Sequence, residues 1–287
     1  MEFLITFING LSLGGIYAMI ALGYTMVYGI AKMLNFAHGD IIMVGGYTIL
    51  LCLPIHPIFA ILAAVVICVI FGTVIEKVAY KPLRGASPLA VLITAIGVSY
   101  LLQSLAQMFF GAPKLVPLPS LGILKIGALS ISYATIITLL SSAVVMVGLN
   151  LFVKYSRTGR AMIAVSEDKG AAQLMGINVN NIIMITFAIG SGLAALAGLF
   201  QLMTAPTIQP TFGALPGIKA FTAAVIGGIG SIPGAMIGGI LLGVIECFAH
   251  AVPALSPYTD AIEFSILIII LLVKPTGLLG KKRREKV

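Results

Sequence analysis

Charge is what this chain has least of. Of its 287 residues, 17 are Lys or Arg and 9 are Asp or Glu, where a soluble domain carries charge at roughly a quarter of its positions. An ordinary soluble protein is thereby excluded. The few charges are also bunched, leaving uncharged stretches at 3–31, 41–75, 85–113, 126–153, 170–218 and 220–245. A bilayer span needs about 20 apolar residues, so several stretches hold one span and some hold two. Lipid admits only helices and closed barrels, and these runs lack the apolar–polar alternation of barrel strands. The expected fold is therefore an all-α polytopic membrane protein.

Other absences narrow the function. The three cysteines, Cys52, Cys68 and Cys247, sit in apolar context with no CxxC and no metal-ligand spacing, which indicates neither a disulfide framework nor a metal site. No GxxxxGK followed by Ser or Thr occurs, because the one Gly-Lys pair, Gly280-Lys281, runs on into Lys282-Arg283; a P-loop for ATP is missing. Gly10-Leu11-Ser12-Leu13-Gly14 has the letters of a nucleophile elbow, but it opens a long apolar run instead of joining a strand to a helix. Small residues there serve close helix packing. Gly228-Ile229-Gly230 lacks the third glycine of a dinucleotide loop. Met1-Glu2 offers no basic region of a signal peptide. The chain reads as neither an enzyme nor a protein requiring a cofactor.

The net charge of +8 does not point to nucleic acid, because 13 of the 17 basic residues fall between Lys77 and Arg84, Lys154 and Lys169, and Lys274 and Lys286. That pattern is the positive-inside signature. If the three clusters share the cytoplasmic side, each interval between them holds an even number of crossings. The spans 88–110 and 131–153 satisfy this, with the Gly- and Pro-rich stretch 111–122 outside. Three segments, 4–28, 41–53 and 58–75, precede Lys77, which puts the N-terminus outside and the C-terminus inside. After Lys169 the clear spans are 181–204, 233–252 and 259–274, so parity demands a fourth, and 216–230 is the candidate. The count is about eight to nine segments. Of these, 41–53 and 216–230 are short or interrupted, which either marks a substrate path between them or reflects tilted helices filling the bundle. A single membrane domain over 1–287 is expected, with a cytoplasmic loop at about 154–180 and a basic tail at 274–287.

Three stretches carry more than topology. In 166–178, Ser166 is expected to cap a short helix, Glu167 and Asp168 to oppose its dipole and Gly176 to stop it. Ala171, Ala172, Leu174 and Met175 would then offer small and apolar surface, either to lipid or to a soluble partner. In 217–239, glycines four apart, including Gly234 and Gly238, allow close helix packing. In 32–40, the polar insert containing Asn35 and His38 is either a plain loop or a helix break at depth, with Asn9, Tyr17 and Tyr24 upstream. Glu246 and His250 share a helix face and are expected to bond to each other or to a neighbouring helix.

The phrases GLSLGGIYAMIALGYTMVYGIAKMLNFAHGD (10–40), YSRTGRAMIAVSEDKGAAQLMGINV (155–179), KAFTAAVIGGIGSIPGAMIGG (219–239) and KPTGLLG (274–280) together resemble the branched-chain amino acid permeases of ABC importers, of the LivH type, over essentially the whole chain. The resemblance implies a subunit of the bacterial inner membrane without its own ATPase. Its partners would be a homologous, LivM-like second permease, two cytoplasmic ABC ATPase subunits and an extracytoplasmic amino-acid-binding protein. It also implies that Ser166, Glu167, Asp168, Ala171, Ala172 and Gly176 couple to the ATPase. The candidate path residues are Asn9, Tyr17, Asn35, His38, Gly227, Gly228 and Gly230, with Gly234 and Gly238 assigned to packing. Permeases for urea and short-chain amides look similar. A secondary carrier or channel for small polar solutes is the other alternative, and it would call for ionisable residues poised in the membrane.

Overall fold

The computed structural model describes residues 2–119, 121–126 and 129–280, and the basic tail from 281 onward lies outside the described residues. The chain runs through α1 (Glu2–Ala31), α2 (His38–Cys52), α3 (Pro57–Ile75) continued by a π turn (Glu76–Tyr80) and a 3-10 turn (Lys81–Leu83), and α4 (Pro88–Phe110). After short strands come α5 (Tyr133–Tyr155), α6 (Arg157–Glu167), α7 (Lys169–Leu174) and α8 (Val179–Thr204). The chain closes with α9 (Ala214–Gly227), α10 (Ile232–Ala251) and α11 (Thr259–Val273). Seven helices are long and apolar enough to cross a membrane, and α2 and α9 are shorter apolar helices. The helical membrane architecture thus agrees with the sequence reading. What the sequence did not suggest is strand in the loop between α4 and α5: β1 (Lys114–Leu115) pairs with β4 (Thr207–Ile208), and β2 (Ile123–Ile126) pairs with β3 (Leu129–Ser132).

Helix starts follow from capping chemistry. Ser87 accepts from the Ala90 N–H ahead of α4, Ser132 from Ala134 ahead of α5, and Ser231 from Gly234 ahead of α10. Each oxygen satisfies an otherwise orphaned first-turn donor. Pro57, Pro88 and Pro233 stand at the starts of their helices, where the missing N–H costs nothing.

The centre of the bundle is α1 against α10. A Cβ on Gly14 would stand 2.6 Å from Ile240 Cα, and one on Gly10 would stand 2.9 Å from Val244 Cα. Gly239 and Gly243 meet Ala18 and Gly14 across the same seam. Gly234 and Gly238 turn the other way, onto Gly227 and Ala223 of α9. In lipid no hydrophobic force drives helix onto helix, so backbone-to-backbone approach at small residues supplies the attraction.

Candidate translocation and coupling sites

Among the described residues, the basic clusters at 77–84 and 154–169 and the segment after Lys274 lie at one face of the bundle. Arg84, after α3, donates to Asn180 at the start of α8 and pairs with the buried Glu76. Lys169, at the start of α7, donates through Nζ to the carbonyl of Ala31 at the end of α1, at 2.9 Å. The backbone N–H groups of Leu278 and Leu279 donate to Ile226 and Gly227 at the end of α9, at 2.8 and 2.9 Å. The ends of α1, α3, α8 and α9 and the segment after Lys274 are therefore gathered on this side.

On that face the expected single helix from Ser166 is corrected to two. Ser156 caps α6 by accepting from Gly159 N–H at 2.8 Å, and α6 runs to Glu167 with Met162 and Val165 buried. Ser166 lies in its last turn, where its hydroxyl donates to the Ile163 carbonyl at 2.7 Å. The cap of α7 is Asp168, extended at φ −152° and accepting from Gly170 and Ala171 at 2.8 and 3.0 Å. An aspartate in that conformation captures two donors at once, which ends one helix and begins the next. Glu167 thus closes α6 instead of opening α7. Gly176 stops α7 at φ +81°, as expected. Ala172 is buried, whereas Ala171 is exposed and Leu174 and Met175 are 90% and 82% exposed. The apolar surface offered by α7 and its C-cap is therefore Ala171, Leu174 and Met175. Burial, and then the neighbouring Arg84, hold the Lys169 ammonium below the ordinary lysine range.

The second arrangement is the meeting of the two short helices. At a rise of 1.5 Å per residue α2 and α9 are each about 21–23 Å long, short of the roughly 30 Å hydrocarbon core. Their N-terminal ends touch: a Cβ on Gly39 would stand 2.5 Å from the Gly213 carbonyl oxygen, and one on Gly217 would stand 3.0 Å from Gly39 Cα. From there α2 runs to the loop before α3 and α9 runs to the basic face. Tyr24 of α1 sits at the junction, with its ring 4.8 Å from His38 and 5.8 Å from Phe221. Its hydroxyl faces the Gly39 N–H. Tyr80 donates to Asn35 at 2.8 Å and Gln103 to Asp40 at 2.8 Å. Asn35, His38 and Asp40 are all buried, so the polar insert is a helix break inside the protein.

The third arrangement is ionic. Lys219 of α9 places Nζ 2.8 Å from Glu246 of α10, 2.8 Å from Asp260 and 3.3 Å from Glu263 of α11. Glu246 thus bonds to a neighbouring helix, while His250 stands 3.9 Å from it and 3.2 Å from Ser256. Tyr17 packs its hydroxyl against Glu246.

The proposed path residues divide accordingly. Asn35 and His38 belong to the helix junction and Tyr17 to the ionic cluster. Asn9 is exposed near the far end of α1, 3.4 Å from the Thr135 hydroxyl. Gly227, Gly228 and Gly230 lie at the basic face against Gly234, Gly280 and Gly29 respectively. The residues that make the junction, Gly39, Gly213 and Gly217, went unremarked as contacts; the four-residue spacing of Gly213 and Gly217 on a short helix was the available signal.

A multi-helix membrane bundle in which two short helices abut at their N-terminal ends inside the protein is the architecture of a transport protein. The family profile for the permease component of branched-chain amino acid transport systems matches residues 6–271, and the chain belongs to that family. It is 46% identical over 298 residues to the high-affinity branched-chain amino acid transport permease BraD of Pseudomonas aeruginosa, covering 98% of this chain and 96% of that protein. To the corresponding permease LivH of Escherichia coli it is 43% identical, covering 100% and 98%. Among solved structures, PsaBC from Streptococcus pneumoniae in complex with Fab shares the fold, with a TM-score of 0.51 at 15% identity over 93% of this chain and 91% of that one.

Proposed function

We propose that this chain is a permease subunit of an ATP-binding-cassette importer that carries leucine, isoleucine and valine across the inner membrane. What supports this reading is similarity along the whole chain to permeases named for that transport. The basic face is cytoplasmic, by the positive-inside rule, which leaves the N-terminus outside and the C-terminus inside. Separate ATPase subunits dock there on α6 and α7, around Ala171, Leu174 and Met175, and hydrolyse the ATP. A second, LivM-like permease and an extracytoplasmic binding protein complete the assembly.

The junction of α2 and α9 borders the path. Helix N-termini carry positive partial charge, which suits the carboxylate of a zwitterion, and the surrounding apolar walls suit its aliphatic tail. In the conformation described here Gly39 and Gly213 close the junction, so substrate passes only when the two helices part. The ionic cluster is structural: Lys219 pairs with the carboxylates that a carrier would need free.

The test is ATP-driven uptake of labelled leucine into proteoliposomes holding both permeases, the ATPases and the binding protein. Uptake competed by isoleucine and valine is expected. Competition by urea or short amides instead would reassign the substrate, and uptake without ATP would reassign the class.

A further inference from the structure

We infer that Lys169 is a positioning residue that passes the movement of the docking helix to α1, and through Tyr24 to the junction of α2 and α9; this rests on the proposed ATPase docking at α7. Lys169 is the first residue of α7, directly after the Asp168 cap. Its side chain does not stay with its own helix. It reaches the carbonyl of Ala31, 138 positions earlier in the chain, at 2.9 Å.

The last carbonyls of a helix have no partner within it, and a cation there also meets the negative end of the dipole. Ala31 is buried at 3% exposure, which leaves little water to compete for its oxygen. Lys32 adopts a left-handed backbone at φ +62° and folds its own Nζ back onto Gly29. With α1 ended so abruptly, α7 is held to its final turn by a charged hydrogen bond.

From Ala31 back to Tyr24 is seven residues, about 10 Å along a rigid helix. Tyr24 touches both short helices: His38 and Gly39 on α2, and Gly217 and Phe221 on α9. A displacement of α7 that pulls on Ala31 therefore acts on the residue lying across the junction. Arg84 makes the complementary tie, joining the end of α3 to the start of α8. Lys169 joins α7 itself to α1 by a side-chain hydrogen bond.

Spatial continuity alone does not show coupling, so the experiment measures coupling. Assemblies carrying wild-type, Lys169→Gln or Lys169→Arg permease are reconstituted with the ATPases, and ATP hydrolysed per leucine transported is recorded. Lys169→Gln is expected to keep ATPase recovery and hydrolysis while the ATP-to-leucine ratio rises roughly tenfold, within the ordinary range of coupling between sites. Lys169→Arg, which keeps the charge and a donor, restores most of the wild-type ratio. If glutamine lowers insertion, Lys169→Met, which keeps the aliphatic stem, gives the same readout. An unchanged ratio overturns the inference, and so does loss of the ATPases from the Lys169→Gln complex, which would make Lys169 a docking residue. A wild-type assembly that hydrolyses ATP without moving leucine refutes the proposed function instead.

Discussion

Helices α4 and α8 are close in mean hydropathy, yet 72% of the most apolar window of α8 is buried in the bundle against 17% for α4. Hydropathy reports that a segment can cross a membrane. It does not report which neighbour the segment meets. The difference lies in side-chain size: α8 carries Gly190, Ser191, Gly192, Ala194, Ala195, Ala197 and Gly198 in one run, whereas α4 carries Ile93, Tyr100, Leu101, Met108 and Phe109 on exposed surface. Small residues let backbones approach, and large apolar ones satisfy lipid equally well. The same rule separates α10, seated on α1, from α11, which has two buried residues.

The largest effect that would test this division of interior from periphery is electrostatic. Lys219→Met strips the cation from Glu246 and Glu263, whose side chains are 10% and 0% exposed. Breaking a buried pair by removing one partner costs about 3–5 kcal/mol, so the variant should lose its cooperative thermal transition in detergent or melt far lower. Asp260→Asn, altering the 56% exposed member, should cost about 1 kcal/mol or less. Equal melting of the two variants would mean that the cluster is not a buried structure.

Next comes a single methyl group on α10. Gly243→Ala drives a Cβ into the backbone of Gly14 and Gly10, where neither helix can yield without opening the seam. Overpacking of this kind costs about 1–3 kcal/mol. A protease-resistance titration against wild type reads it, and undiminished resistance would show that α1 and α10 are free to separate.

The smallest effect has the opposite sign. Gly97→Ala makes the same change on α4, where nothing lies within 4 Å of the new Cβ. Removing a glycine from a helix interior gains about 0.5–1 kcal/mol. Guanidinium or heat midpoints should therefore rise slightly, and a fall would mean that α4 is covered in the isolated subunit.

Much of this arrangement was legible in the sequence. Nine apolar segments and the shortness of α2 and α9 followed from charge placement and glycine content, because the bilayer penalises charge regardless of tertiary partners. The sequence places the start of α7 two residues early because Ser166, Glu167 and Asp168 can all cap or charge a first turn, and only the backbone decides among them. Helix α6 was hidden behind Arg157 and Arg160, which read as topology markers instead of the wet side of an amphipathic helix. Lys219 was visible as an oddity in an apolar segment, but its carboxylates come from positions 27, 41 and 44 residues later on two other helices, and no local spacing announces such a meeting. For the junction the local sign is the four-residue spacing of Gly213 and Gly217, which does not name Gly39 as the residue they meet.

The end of α9 sets an order of events. Its last four carbonyls are all taken: Ala224 and Val225 by the N–H of Gly228, Ile226 by Leu278 and Gly227 by Leu279. Two of those donors are made about 50 residues after the helix they complete. A short helix leaving the ribosome therefore waits with two bare oxygens until residues 278 and 279 are synthesised, and the stretch after α11 works as a late fastener for a segment threaded long before. A nascent chain halted after α11 should hold α9 unfinished, and adding residues 278 and 279 should complete it.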